Sequence, residues 1–174
     1  LALSGNTTGS ENIAIGNYTL DANVDGANNT AVGYNALSSN TSADFNVGIG
    51  RQALLSNTTG TQNTAVGTNA LDANTTGNEN TGLGYNALGT ATTAAGNTAV
   101  GWGSLDSTTT GYANVAVGLS ALDANTTGAE NTAVGYSALD ACTTGTNNVA
   151  LGRHALGAMT APSNNTALGD TALF

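Results

Sequence analysis

Asn followed four residues later by Gly and eight residues later by Leu recurs at Asn12, Asn29, Asn46, Asn63, Asn80, Asn97, Asn114, Asn131, Asn148 and Asn165. The interval is 17 residues every time, with no insertion or deletion in ten copies. Globular domains vary in loop length; strict spacing means that each repeat is one structural rung stacked on its neighbours. The consensus, N-T-A-V-G-Y-N-A-L-D-A-N-T-T-G-x-E, is too short for a helix pair or a propeller blade. It is also poor in helix formers and rich in Gly and Thr. The period predicts an all-β fold: a parallel β-solenoid, or β-roll, of ten 17-residue rungs over residues 1–174 as a single array. At about 4.8 Å between strands the rod would be about 48 Å long.

Each repeat position becomes a row along the rod, numbered here from the Asn. Row 2 is always β-branched and row 4 always aliphatic, so the two share one strand face. The other face carries Asn in row 1, Ala or Gly in row 3 and Gly in row 5. The expectation is that the aliphatic face fills the coil while the small-residue face meets another chain. Row 9 is Leu from Leu20 to Leu173, placed to insert between the two sides of a flat coil. Row 15, with Gly9, Gly26, Gly60, Gly77, Gly111, Gly128 and Gly145, reads as turn glycine where a positive φ is cheap. Ala43, Ala94 and Pro162 interrupt that row. Asn in row 1 suits a ladder in which each carboxamide donates to one neighbour and accepts from the other.

Leu, Ile, Val and Phe number 31 of 174 residues, a thin core for each rung. At about 25 cal/mol per Å² of apolar burial, one rung barely offsets the entropy of ordering its backbone. A homo-oligomer is therefore expected, most economically a homotrimer about a central axis.

The segments N-T-A-V-G-Y-N-A-L at 29–37, N-T-A-V-G-T-N-A-L at 63–71 and N-T-A-V-G-Y-S-A-L at 131–139 resemble the head repeat of YadA-type trimeric autotransporter adhesins. The 17-residue form with its N-T-T-G turn is similar to arrays of phage tail fibres and bacterial surface fibres. The resemblance covers the whole chain and implies a left-handed, trimeric β-roll outside a cell or on a virion, as an excerpt of a longer fibre protein. The adhesin head repeat is usually shorter than this one. No catalytic residues come with the resemblance.

Recognition would fall in rows free to vary. Row 6 holds Tyr34, Arg51, Tyr85, Trp102, Tyr136 and Arg153, the residue types that anchor interfaces and stack on sugars. A host receptor or a glycan is the partner this stripe would take. The bland reading of the same row is flank cover, or contact within a trimer. Row 10 carries Asp21, Asp72, Asp106, Asp123 and Asp140, read as solvated charge. Cys142 sits in row 12, otherwise mostly Asn, and reads as a half-buried spacer.

The formal charge is −9, with two Arg and no Lys, so a basic surface for nucleic acid is excluded, and no apolar run is long enough to span a bilayer. One His and one Cys leave no Ser-His-Asp set, metal cluster or phosphate loop, and neither an enzymatic role nor a cofactor is expected. The functional reading is a structural and adhesive fibre segment. The alternatives are a filament subunit that stacks end to end and an ice-binding solenoid presenting the Thr file of row 13.

Overall fold

The computed structural model describes residues 1–174. Ten three-residue strands, β1 (Ile13–Ile15), β2 (Thr30–Val32), β3 (Val47–Ile49), β4 (Thr64–Val66), β5 (Thr81–Leu83), β6 (Thr98–Val100), β7 (Val115–Val117), β8 (Thr132–Val134), β9 (Val149–Leu151) and β10 (Thr166–Leu168), form one parallel sheet in sequence order. Each pairs with the next at an offset of one repeat, as in Thr30 with Val47 and Val32 with Ile49. The architecture is the β-solenoid expected from the period. The strands are a small part of its bonding: 18 of the 110 backbone hydrogen bonds lie within strands, and most of the remainder join turns of successive rungs.

The strand faces are the reverse of the expected arrangement. The small residues of row 3, such as Ala31, Ala65, Ala99 and Ala133, are fully buried, whereas Ile15, Ile49, Leu83 and Leu151 of row 4 are exposed. The coil is flat enough that Leu of row 9 fills the interior from the opposite wall. All Leu residues from Leu20 to Leu156 in that row have no exposed surface. A Cβ built on Gly48 would lie 3.3 Å from Leu37 Cδ1, so an interior with Leu on one wall has room for no more than Ala on the other. The β-branched side chains of rows 2 and 4 are left outside.

Backbone geometry departs from expectation in the same region. The row 15 glycines do not adopt positive φ; they pass close to the next rung, and a Cβ on Gly111 would meet the Gly128 carbonyl oxygen at 2.6 Å. The left-handed corners fall in rows 7, 9 and 17, and every Leu of row 9 has φ between 50° and 56°. Left-handed backbone costs a non-glycine residue about 1–2 kcal/mol, and full burial of Leu returns about 1.5–3 kcal/mol. Leu is kept because Gly would leave the corner easy and the core empty.

Gly48 and Gly82 stand in row 3 where the other eight rungs have Ala, and neither has positive φ. Gly48→Ala is expected to stabilise the chain by about 0.4–1 kcal/mol through the entropy of the unfolded state. Thermal melting of the variant checks this, and a lowered midpoint would show that the third rung is packed differently from its neighbours.

Candidate functional site

The coil encloses no cavity. No group of three His, Cys, Asp or Glu is placed to hold a metal ion, and no helix is long and apolar enough to cross a membrane. What the structure offers is a set of parallel rows, with two polar ladders of Asn inside and several varied rows outside.

Inside, the row 1 asparagines are joined rung to rung. From Asn29 to Asn165, each backbone N–H donates to the Oδ1 of the Asn one rung earlier at 2.9–3.1 Å. The side-chain Nδ2 of Asn97 donates to Asn80 Oδ1 at 3.1 Å and to the Gly111 carbonyl at 2.9 Å. The carboxamide thus supplies partners to a backbone N–H and a turn carbonyl that the short strand leaves outside its own ladder, and that would otherwise be buried without one.

A second amide ladder runs through row 12, and the sequence reading missed it as a ladder. Nδ2 of Asn23, Asn40, Asn57 and Asn74 each donates to Oδ1 of the Asn one rung earlier, at 2.8–3.2 Å. The signal was available, since these Asn recur at the same interval of 17. The ladder breaks where the next residue in the row is Ala91 or Cys142, and there Asn74 Oδ1 and Asn125 Oδ1 are buried without a partner. Cys142 is fully buried, not a half-buried spacer, and burial pushes its thiol pKa up.

Outside, the Thr file of row 13 is spent on the coil. Thr58, Thr75, Thr92, Thr109 and Thr126 each donate Oγ1–H to the row 13 carbonyl of the next rung at 3.0–3.2 Å. Row 6 lies along the edge where the strands end. Tyr34, Tyr85, Trp102 and Tyr136 are 45–56% exposed. Tyr85 and Trp102 stack with ring centroids 6.0 Å apart, and Tyr18 meets Tyr34 edge to face at 6.1 Å. Tyr136 packs edge to face on His154. Arg153 forms an exposed paired contact with Asp170, at 2.9 and 3.1 Å, while Arg51 has no acidic partner.

The acidic row is less solvated than its composition suggests. Partial burial raises the pKa of Asp72, Asp106 and Asp123 above 3.8. Asp106 adds repulsion to Asp72, and both Asp106 and Asp140 add it to Asp123. Asp106 is partly relieved by a hydrogen bond from Asn86. Asp170 is shifted the other way by its bond to Arg153.

Compared with family models, with curated proteins and with solved structures, the chain matches none of them. Its surfaces are therefore read from their own chemistry.

The two ladders predict opposite outcomes. Asn97→Ala strands Asn114 N–H and the Gly111 carbonyl in the interior and is expected to cost about 2–4 kcal/mol. Cys142→Asn restores a donor to Asn125 Oδ1 and is expected to stabilise by about 1 kcal/mol. Chemical denaturation of both variants checks the pair, and a destabilising Cys142→Asn would remove row 12 as a ladder.

The pH dependence follows from the row 10 shifts. Carboxyls with raised folded pKa take up protons first in the folded state, so stability rises as pH falls from neutral through those values. Asp170 opposes this, its contribution being lost on acidification, but it is one exposed pair against three half-buried groups. The melting midpoint is expected to be higher near pH 4.5 than at pH 7, and Asp123→Asn to flatten that difference. A midpoint that falls steadily from pH 7 to 4.5 would contradict the assignment.

Proposed function

We propose that this chain is a structural segment of an extracellular or virion fibre, a stiff β-roll spacer assembled from copies of itself, most economically a homotrimer. The observation that carries the reading is the outward sheet face. Rows 2 and 4 present Ile, Val, Leu and Thr along all ten strands, with no charged residue among the thirty strand positions. Charge is the usual means of keeping an exposed sheet from associating, and a net −9 chain that leaves one long face free of it has kept that face for a partner. Each rung is thinly cored, so burial of this face adds the apolar area that the interior lacks. The identical period of a second copy makes it the partner that matches over the full length of the rod.

This differs from the expectation in one respect: the face offered to another chain is the β-branched face, because the small-residue face is inside. The exposed rings and Arg of row 6 supply the chemistry for receptor or glycan contact on the fibre flank. Absence of a cavity and of any metal-ligand cluster leaves the surface rows as the places where such a chain acts.

Sedimentation or light scattering of the 174-residue chain is expected to give the mass of a trimer. Val100→Asp combined with Val117→Asp, both on the outer face, is expected to give a monomer with an unchanged far-ultraviolet spectrum. A wild-type chain that stays monomeric at concentrations of about 100 μM would end the reading.

A further inference from the structure

In row 12 one side-chain nitrogen has two fixed duties. In Asn23, Asn40, Asn57 and Asn74, Nδ2 donates one proton to Oδ1 of the residue one rung earlier and the other to the row 15 carbonyl of its own turn, at 2.8–3.2 Å. That carbonyl takes a second bond from row 1: the Gly77 oxygen accepts from Asn63 Nδ2 as well as from Asn74 Nδ2. Both of its lone pairs are then used.

At Ala91 the acceptors remain and the nitrogen does not. Asn74 Oδ1 is buried without a partner, in a residue with no exposed surface. The Ala94 carbonyl oxygen accepts from Asn80 Nδ2 at 2.7 Å and keeps one lone pair unused. The two oxygens converge, since a Cβ built on Gly77 would touch both. The same Cβ on Gly60 would meet the equivalent pair, Asn57 Oδ1 and the Gly77 oxygen, and at 2.8 Å the Asn74 Nδ2 that joins them. Gly77 is thus surrounded as Gly60 is, less the row 12 nitrogen. Ala91 is itself fully buried, so bulk solvent does not reach the two oxygens.

A group that satisfies this pair has two protons to give, no charge, and the size of the carboxamide that Ala lacks. An ammonium would have to be buried as a charge with no counter-ion, at a cost far above that of a neutral donor. Water meets all three conditions, with about 30 Å³ of liquid volume to a molecule. Nothing larger fits, because the coil encloses no cavity. Thr108, one rung further and fully buried, accepts from Asn125 Nδ2 through Oγ1 and has its hydroxyl proton to give to the same molecule. We infer that the Ala91 rung binds one internal water molecule, which donates to Asn74 Oδ1 and to the Ala94 carbonyl and takes the place of the amide in the row 12 ladder. The Cys142 rung binds none. A Cβ on Gly145 would lie 2.9 Å from Cys142 Sγ, so sulfur already occupies the equivalent place.

A crystal structure of the chain is expected to show ordered water within hydrogen-bond distance of both Asn74 Oδ1 and the Ala94 oxygen, and none beside Asn125 Oδ1. In solution, NMR is expected to show magnetisation transfer from a long-lived water to the side-chain amide protons of Asn80. Ala91→Asn puts a carboxamide where the water sits and is expected to abolish both signals, whereas Cys142→Asn leaves both unchanged. A wild-type chain with neither density nor transfer at Asn74 Oδ1 would overturn the proposal, as would signals that survive Ala91→Asn. The wild-type measurements decide the matter even where a variant fails to fold.

Discussion

The spacing between rungs governs everything else in this molecule. Parallel strands sit about 4.8 Å apart, and every turn of a coil held to that pitch must also find its hydrogen bonds one rung away. With strands of three residues, most backbone groups lie outside the sheet ladder, and the burden falls on corners and side chains. Asn meets it best, because one carboxamide accepts a backbone N–H of the following rung and donates both to a turn carbonyl there and to the Asn Oδ1 of the rung before. The invariant Gly of row 5 meets it differently: its φ of 124–138° lies where other residues rarely go, and a Cβ on Gly16 would collide with the Gly33 carbonyl oxygen at 2.6 Å. The fixed interval of 17 is the consequence, since one inserted residue would break both ladders at once.

Much of this was legible in the sequence. The period gave parallel stacking and rung number, and Leu in every copy gave the core. The facing of the strand was not legible, for a physical reason. Alternation identifies which residues share a face but not which face is inside, and the usual guide is that the larger apolar set is buried. Here the far wall supplies Leu, and a coil only as wide as one Leu side chain accepts Ala opposite. The corners were obscured by a similar override: propensity assigns left-handed backbone to Gly, yet burial energy puts Leu there and leaves Gly for close approach. Of the candidate site, the aromatic edge could be read from row 6 alone. Its place on the rod needed the structure, which sets row 6 along the edge of an uncharged outer face of Thr, Val, Ile and Leu.

The same constraint explains the poverty of chemistry. A titratable group pointing inward would face an identical environment above and below, with no charge to pair it and no water to solvate it. Even half outward the cost is felt, as the raised pKa values of Asp72, Asp106 and Asp123 record. Interior rows are thus confined to Asn, Ala, Leu and a few small substitutes, and diversity survives in rows 6, 7, 10, 16 and 17. Variation in such a fold is therefore confined to its surface rows and its length.

Length brings its own problem, because a stack of rungs is held together by neighbour contacts only. A defect such as Ala91 or Cys142 weakens the junction where it falls. At both defects the row 1 ladder continues, Asn97 donating from its backbone N–H and its Nδ2 to Asn80 Oδ1, and Asn148 donating likewise to Asn131 Oδ1. With two amide ladders in one coil, a partner lost from one leaves the other to hold the rung spacing at that height, so the interruptions of row 12 weaken a junction without opening it.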